Sequence, residues 1–338
     1  MSSSWHKGAQ AQDDEPVLEP DRAIIDPHLH LWIDLGDHLP APYLAPNLLA
    51  DLKAGGHRIE RTVYLEASGV GYRSVGPAEL RPVGETEFAL EQADALAAAG
   101  GPPIDGIVGH ADLLRGAAVR PVLEAHIAAG QGRFRGIRQT AACDPSPDIL
   151  NSCPPGGCCY GDLGFRAGVA LLGEMGLSFD AWNYHPHLPD LTALARACPD
   201  TLIILDHYGS PLGIGPYAGQ HDAVFEQWRR DLAELAQCPN VVIKLGGLAM
   251  PMIGFGYGEM AAPPHSELVA QHQRPYFEHA LASFGVERAM FESNYPVERA
   301  SMSYRVIWNA FKRLAAGLSE REKHALFRGT AQKVYRLG

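Results

Sequence analysis

Short apolar runs alternate with amphipathic stretches along most of this chain. The runs at 23–30, 62–67, 105–110, 135–140, 177–183, 202–207, 241–246 and 289–294 have strand length. Several are apolar on both faces, as in Leu202-Ile203-Ile204-Leu205 and Val241-Val242-Ile243. Such runs suit parallel strands covered on both sides. Between them, helical periodicity covers 85–100, 117–129, 164–175, 188–197, 221–236, 266–284 and 301–316. Eight strands alternating with helices predict an α/β fold, a single-domain (β/α)8 TIM barrel. A doubly wound open sheet is the alternative. It would be favoured by a Gly-rich phosphate loop after the first strand, and the sequence has none there.

Punctuation supports repeated units. Ala197-Cys198-Pro199-Asp200 and Gln237-Cys238-Pro239-Asn240 each precede a strand and read as helix-to-strand turns. They belong at the barrel bottom, where Cys198 and Cys238 are packing residues. Two long loops follow strands and so rise from the opposite face, where long loops bind or cover ligands. Loop 141–163 carries Pro154-Pro155-Gly156-Gly157 and four cysteines. Loop 246–265 carries Met250, Met252, Phe255 and Tyr257, either an apolar wall over a substrate or local packing. Residues 1–20 are polar and acidic and read as a flexible tail in which Trp5 could dock. The barrel domain then spans 21–338.

Composition narrows the class. The 338 residues are 46% hydrophobic, enough for a large core. The net charge of −11 disfavours nucleic acid and an anionic membrane surface, both of which want a basic face. No apolar stretch reaches the ~18 residues of a membrane span, and residues 1–20 lack the apolar centre of a signal peptide. A cytoplasmic protein with a small-molecule substrate is expected, with homo-oligomerisation left open. Cys143, Cys153, Cys158 and Cys159 lack Cys-x-x-Cys spacing and read as free thiols in a loop.

The chemistry sits at the strand ends. The first run ends in Asp26-Pro27-His28-Leu29-His30, and histidines at i and i+2 on a strand face one side. They can aim two imidazoles at one metal ion. The later tips supply Glu66, His110, Arg138, Tyr184-His185-Pro186-His187, Asp206-His207, Lys244 and Glu292-Ser293-Asn294. Chargeable residues are rarely buried singly, and in a barrel these tips converge on one mouth. Bland readings remain for some of them. Glu66 is a pocket acid or half of an ion pair, and His110 lines the mouth or is a hydrogen-bonded core histidine. Tyr64 and Trp182 read as packing; His221, His265, His272, His279 and His324 read as surface.

With these residues in view, the chain resembles the amidohydrolase superfamily, in the branch of TIM-barrel metal-dependent hydrolases related to amidohydrolase family 2. The matching stretches are Ile24-Ile25-Asp26-Pro27-His28-Leu29-His30-Leu31-Trp32, Phe134-Arg135-Gly136-Ile137-Arg138, Leu205-Asp206-His207-Tyr208-Gly209, Val242-Ile243-Lys244-Leu245-Gly246-Gly247-Leu248 and Met290-Phe291-Glu292-Ser293-Asn294-Tyr295-Pro296. The branch includes sugar-lactone and pyrone-dicarboxylate lactonases. The resemblance implies His28 and His30 as paired metal ligands and His185, with His187 as rival, as the strand-five ligand. It implies His207 beside the substrate or a second metal, and Arg138 as a carboxylate or oxyanion binder.

Strand eight departs from the pattern. The family usually carries Asp there, as ligand and general base; this chain has Asn294. An amide oxygen can coordinate but cannot take a proton from water near neutral pH. Glu292, on the same face and one layer deeper, either replaces that carboxylate or pairs with Lys244 or Arg138; the second is favoured. The implied function is a metal-dependent lactonase of a small carboxylated or hydroxylated substrate. A divalent ion, taken as Zn²⁺, would sit on His28, His30, His185 and Asn294. His207 serves as base, and Arg138, Glu66, His110, Phe255 and Tyr257 serve the substrate. Metal-free lactone hydrolysis, decarboxylation of an aromatic acid and a non-catalytic binding barrel are the alternatives.

Overall fold

The computed structural model describes residues 15–34, 42–67, 69–153 and 157–338. Eight strands run β1 (Ile24–Leu29), β2 (Ile59–Leu65), β3 (Ile104–Gly109), β4 (Phe134–Arg138), β5 (Ser178–Ala181), β6 (Ile203–Leu205), β7 (Val241–Leu245) and β8 (Ala289–Phe291). They lie in sequence order in one sheet, and each consecutive pair is parallel. The ring closes above β8, where the His30 N–H donates to the Tyr295 carbonyl at 2.9 Å. The fold is the (β/α)8 barrel that the alternating pattern predicts.

The outer helices are α1 (Ala45–Gly55), α2 (Val83–Ala98), α3 (Arg120–Ala129), α4 (Leu163–Glu174), α5 (Leu188–Ala197), α6 (His221–Leu235), α7 (Ser266–Phe284) and α8 (Tyr304–Leu314), with short α9 (Glu320–His324) and α10 (Thr330–Val334) at the end. The sequence reading lacks α1. Pro42 and Pro46 make its start look like a loop, yet Pro46 lies in the first turn, where a missing N–H costs nothing. Leu48 and Leu52 then bury one face, and Gly56 ends the helix in the left-handed conformation.

Two apolar layers hold the barrel. One lies between strands and helices. The other fills the interior with Ile25, Val63, Val108, Ile204, Val242 and Met290, plugged from below by Val334 at the end of α10 and by Tyr335 and Leu337 after it. The last residues of the chain are thus part of the barrel floor. Residues 15–18 also dock. Glu15 accepts the Ser266 hydroxyl at 2.7 Å on α7, and the Leu18 N–H donates to Asn309 at 2.8 Å on α8. Trp5 and the rest of 1–14 lie outside the described residues. Among the described residues, no helix is long and apolar enough to cross a membrane.

Above the apolar plug the interior turns ionic. Lys244 Nζ on β7 lies 2.8 Å from Asp180 on β5 and 2.9 Å from Asp206 after β6, all fully buried. The Tyr335 hydroxyl donates to Asp180 from below. Burial works against the Lys244 charge, but Asp180, Asp206 and Glu292 outweigh it and hold the ammonium above its ordinary pKa. Removing one partner of such a cluster strands the others. Lys244→Met should therefore cost about 3–5 kcal/mol in urea unfolding at neutral pH; a loss below about 1 kcal/mol, the range of a surface pair, would contradict this role.

Candidate active site

The tip of β1 is not a regular strand. Its register against β2 shifts between Asp26 and Leu29. Asp26 turns toward the shell, where it accepts the Ser293 N–H at 3.0 Å and the Tyr304 hydroxyl at 2.9 Å, tying β1 to the tip of β8 and to α8. Burial pushes its carboxyl up to about 6. His28 instead turns inward, above Lys244. A register irregularity that re-aims a side chain beside a site is a recurrent device.

His28, His207 and Glu292 meet at the centre. Glu292 Oε2 lies 2.7 Å from His28 Nδ1, and Oε1 lies 2.6 Å from His207 Nδ1. The His207 backbone N–H also donates to Oε1, at 3.2 Å. Burial alone would raise the Glu292 pKa, yet His207 and His28 together hold it well below the carboxylate range. Glu292 is thus an ionised partner of two imidazoles, rather than the partner of Lys244 or Arg138 that the sequence reading favours. His207 Nδ1 carries the proton it gives to Glu292, which leaves its Nε2 with the lone pair, whereas His28 Nδ1 stands between Glu292 Oε2 and the Lys244 ammonium, 3.0 Å away.

The backbone makes room for this. His207, Tyr208, Ser210 and Asn294 all have positive φ, a region costly for residues with a Cβ, least so for asparagine. Gly247, at φ +76°, allows the closest approach, since a Cβ there would sit 2.5 Å from the His207 ring.

His30 completes the mouth. Its Nδ1 donates to the Leu65 carbonyl at 3.0 Å, so its Nε2 also keeps its lone pair. Burial and then Arg138 pull its pKa down to about 3; burial and Lys244 pull His28 well below the usual histidine value. The two Nε2 atoms face each other at 3.0 Å. A contact of that length between two ring nitrogens is held either by an N–H on one of them or by a cation between two lone pairs. Nitrogens each ~2.0–2.1 Å from one zinc at a near-tetrahedral angle sit about 3.3 Å apart. The spacing therefore suits a divalent cation, with the Leu65 carbonyl setting the His30 tautomer from behind. The ligand atoms of His28, His207 and Glu292 also lie within 4.8 Å of one another. One group competes: Arg138 Nη1 is 3.4 Å from His28 Nε2.

Above these residues opens a cavity of about 860 Å³, bordered by His30, Arg138, His207 and Asn294. Both long loops contribute to it, through Asp148 and Leu150–Cys153 from one and Met250–Met252 from the other. Trp182, read from sequence as packing, forms a wall; its ring lies 5.7 Å from the Arg138 guanidinium, and its N–H donates to Ser210 at 3.2 Å.

Other sequence-predicted residues lie elsewhere. His185 is buried after β5, where Nδ1 accepts the Leu212 N–H at 3.2 Å and the ring faces Tyr217, so it is not gathered with His28 and His30. His187 lies 3.0 Å from Asp190 and close to the loop cysteines. His110 Nδ1 bonds the Arg138 carbonyl at 3.3 Å, and the ring does not border the cavity. Phe255 and Tyr257 pack on α7 against His272, which is the local-packing reading. Arg138 is less available than expected. Its Nε donates to Glu66 at 2.7 Å and its Nη2 to the Glu66 carbonyl, so the bidentate fork is already spent. Glu298, missed from sequence, faces the Asn294 amide from the next turn, and burial pushes its carboxyl up to about 8.

The amidohydrolase family model matches residues 25–337. The chain belongs to the amidohydrolase family. A protein named y4mH from Sinorhizobium fredii is 36% identical over 94% of this chain and 99% of its own length. An L-fucono-1,5-lactonase from Burkholderia multivorans is 33% identical, over 52% of this chain and 57% of its own. A solved amidohydrolase from Burkholderia multivorans with bound zinc is 26% identical, with a TM-score of 0.70 across 94% of this chain and all (100%) of that one.

A second buried carboxyl supports the wall behind Arg138. Glu85 on α2 accepts the Tyr64 hydroxyl at 3.0 Å and the Ala67 N–H at 2.6 Å. Burial, then the nearby Glu66, raises its pKa to about 8. A folded pKa above the unfolded value means that its stabilising contribution is complete below about 4.5 and is lost as pH rises through about 8. The stability difference between wild type and Glu85→Gln should therefore shift against wild type from pH 5 to about 9, by on the order of 1.4 kcal/mol for each pH unit between those two pKa values. Denaturation midpoints at several pH values measure it; a pH-independent difference would contradict the shift.

Proposed function

We propose that this amidohydrolase opens the ring of a small, uncharged, hydroxylated lactone. The observation that carries the reading is the Glu292 carboxylate shared by His28 and His207 beneath the cavity. With its Nδ1–H donated to Glu292, His207 keeps the Nε2 lone pair for proton transfer. His207 takes a proton from water as the water oxygen bonds to the ring carbonyl carbon. It returns that proton to the ring oxygen as the C–O bond breaks, and the product is a hydroxy acid. Glu292 steadies the imidazolium in between, as a carboxylate behind a histidine does in other hydrolytic sites. His207 thus takes the proton-transfer duty that the family usually gives to the strand-eight Asp. Asn294 cannot hold that proton and instead offers its amide to the substrate.

His28 and His30 would hold a divalent metal ion, which we take to be zinc as in the Burkholderia multivorans relative. When bound, such an ion polarises a carbonyl or acidifies a water molecule. His185 and Asn294 are not needed as ligands in this reading.

The cavity favours an uncharged ring. Arg138 is neutralised by Glu66, and Asp148 stands at the cavity border. A substrate carboxylate would have to compete with Glu66 for the Arg138 guanidinium there. The same point weakens decarboxylation, which begins with binding a carboxylate. The lactonase similarity over half of the chain is consistent with a sugar-derived lactone.

Proton release from a panel of hydroxylated 1,5-lactones, in weakly buffered indicator solution, tests the reading. His207→Gln should lower kcat by about 10²–10⁴ with little change in KM, while its zinc content matches wild type. His28→Ala combined with His30→Ala should lose the zinc. A His207→Gln enzyme as fast as wild type would overturn the base assignment. A wild type inactive on every lactone but releasing carbon dioxide from aromatic acids would overturn the lactonase.

A further inference from the structure

The loop after β4 carries its own constellation, separate from the barrel centre. Cys143, Cys153 and Cys158 are free thiols, as are Cys159, Cys198 and Cys238. Cys143 Sγ lies 3.6 Å from His187 Nε2. The ligand atoms of Cys158, His187 and Asp190 lie within 4.8 Å of one another. The Cys143 thiol interacts directly with Cys153, and the His187 ring interacts directly with Cys158. Two thiols of one loop, Cys143 and Cys158, thus contact one imidazole from the turn after β5, and Cys153 adjoins Cys143. The remaining cysteines are not part of this arrangement. Cys159 packs in the outer core, and Cys198 donates to the Arg166 carbonyl at the end of α5.

We propose that Cys143, Cys153, Cys158 and His187 form a second, structural metal site that takes a soft divalent ion such as zinc. Three thiolates and one imidazole are a closed tetrahedral ligand set for zinc, with no position left for a substrate. Asp190 Oδ2, 3.0 Å from His187 Nδ1, supplies the carboxylate that orients a metal-bound imidazole. That contact leaves Nε2 on the side of the thiols. Nε2 also lies 3.2 Å from the Cys143 carbonyl, so the imidazole is held between that carbonyl and Asp190. An ion bound there would take the place of protons on its ligands, so loading releases protons.

The spacing explains why sequence alone gives no metal motif. The thiols stand at 143, 153 and 158 and the imidazole at 187, joined only because the loops after β4 and β5 are neighbours at the barrel mouth. Loaded, the site would staple those two loops together. Residues Leu150–Cys153 border the cavity, so the staple would hold that wall in place. The proposal does not rest on the lactonase reading, since no ligand is shared with His28, His30 or His207.

Cobalt separates the two sites, because only this one contains sulfur. The full-length protein is freed of metal, reduced with a phosphine and titrated with Co²⁺. A thiolate-to-cobalt charge-transfer band in the near ultraviolet should grow and saturate at a single equivalent per chain. It should survive in His28→Ala combined with His30→Ala, and vanish in Cys158→Ser and in His187→Ala. Alkylation of the wild type read by mass spectrometry gives a check that does not depend on any variant folding. Zinc should protect Cys143, Cys153 and Cys158 from iodoacetamide. Absence of the band in wild type, its persistence in Cys158→Ser or His187→Ala, or equal alkylation with and without zinc would each overturn the proposal.

Discussion

Everything at the barrel mouth depends on one carboxylate. Glu292 lies at the tip of β8, fully buried, with one oxygen on His28 and the other on His207. An ion there is costly unless it is paired and hydrogen-bonded. His207 meets that condition with two hydrogen bonds to Oε1, and His28 stands 2.7 Å from Oε2. The same bonds that make the charge tolerable turn the His207 Nε2 lone pair outward. Stability and reactivity at this mouth therefore have one physical source.

The surrounding fold is arranged to keep that carboxylate in place. Below it, Lys244 links Asp180 and Asp206, and Tyr335 reaches up from the end of the chain. Beside it, Gly246 and Gly247 carry no side chain, because a Cβ on either would collide with Glu292 or His207. The backbone after β6 accepts positive φ at three residues with side chains, His207, Tyr208 and Ser210. Strain of this kind persists where the surroundings over-determine it, and it gathers at functional sites. The asymmetry between the two faces of the barrel follows. The bottom is an apolar plug, and the top is a charged cluster under a cavity.

Much of the fold was legible because parallel barrel strands are apolar on both faces and separated by helices of ordinary length. All eight strands lie where the apolar runs place them, within a few residues. Helix α1 was hidden by the prolines at its start. The site was legible as a set of strand tips, and His28, His30, His207, Arg138 and Asn294 do gather around one centre. Pairings were not legible. Arg138 looked free to bind a carboxylate until Glu66 was seen to occupy two of its nitrogens, and Glu292 looked like the partner of a cation. Which side chain takes which partner depends on distances across the barrel, and these have no signature along the chain. His185 shows the same limit. Its spacing after β5 cannot say whether the ring turns to the axis or, as found, toward Tyr217. Trp182 reads as packing because an indole on an apolar strand end looks the same whether it faces a core or a cavity.

The account places the proton-transfer duty on His207 and the orienting duty on Glu292, with Asn294 relieved of both. The kinetic consequence of replacing Glu292 by the isosteric, uncharged glutamine tests that division most directly. Glu292→Gln should bind a hydroxylated lactone with a KM near that of wild type and turn it over far more slowly, its kcat reduced by about 10²–10⁴. An enzyme that folds, keeps its metal and hydrolyses the lactone at the wild-type rate after losing this carboxylate would contradict the central claim.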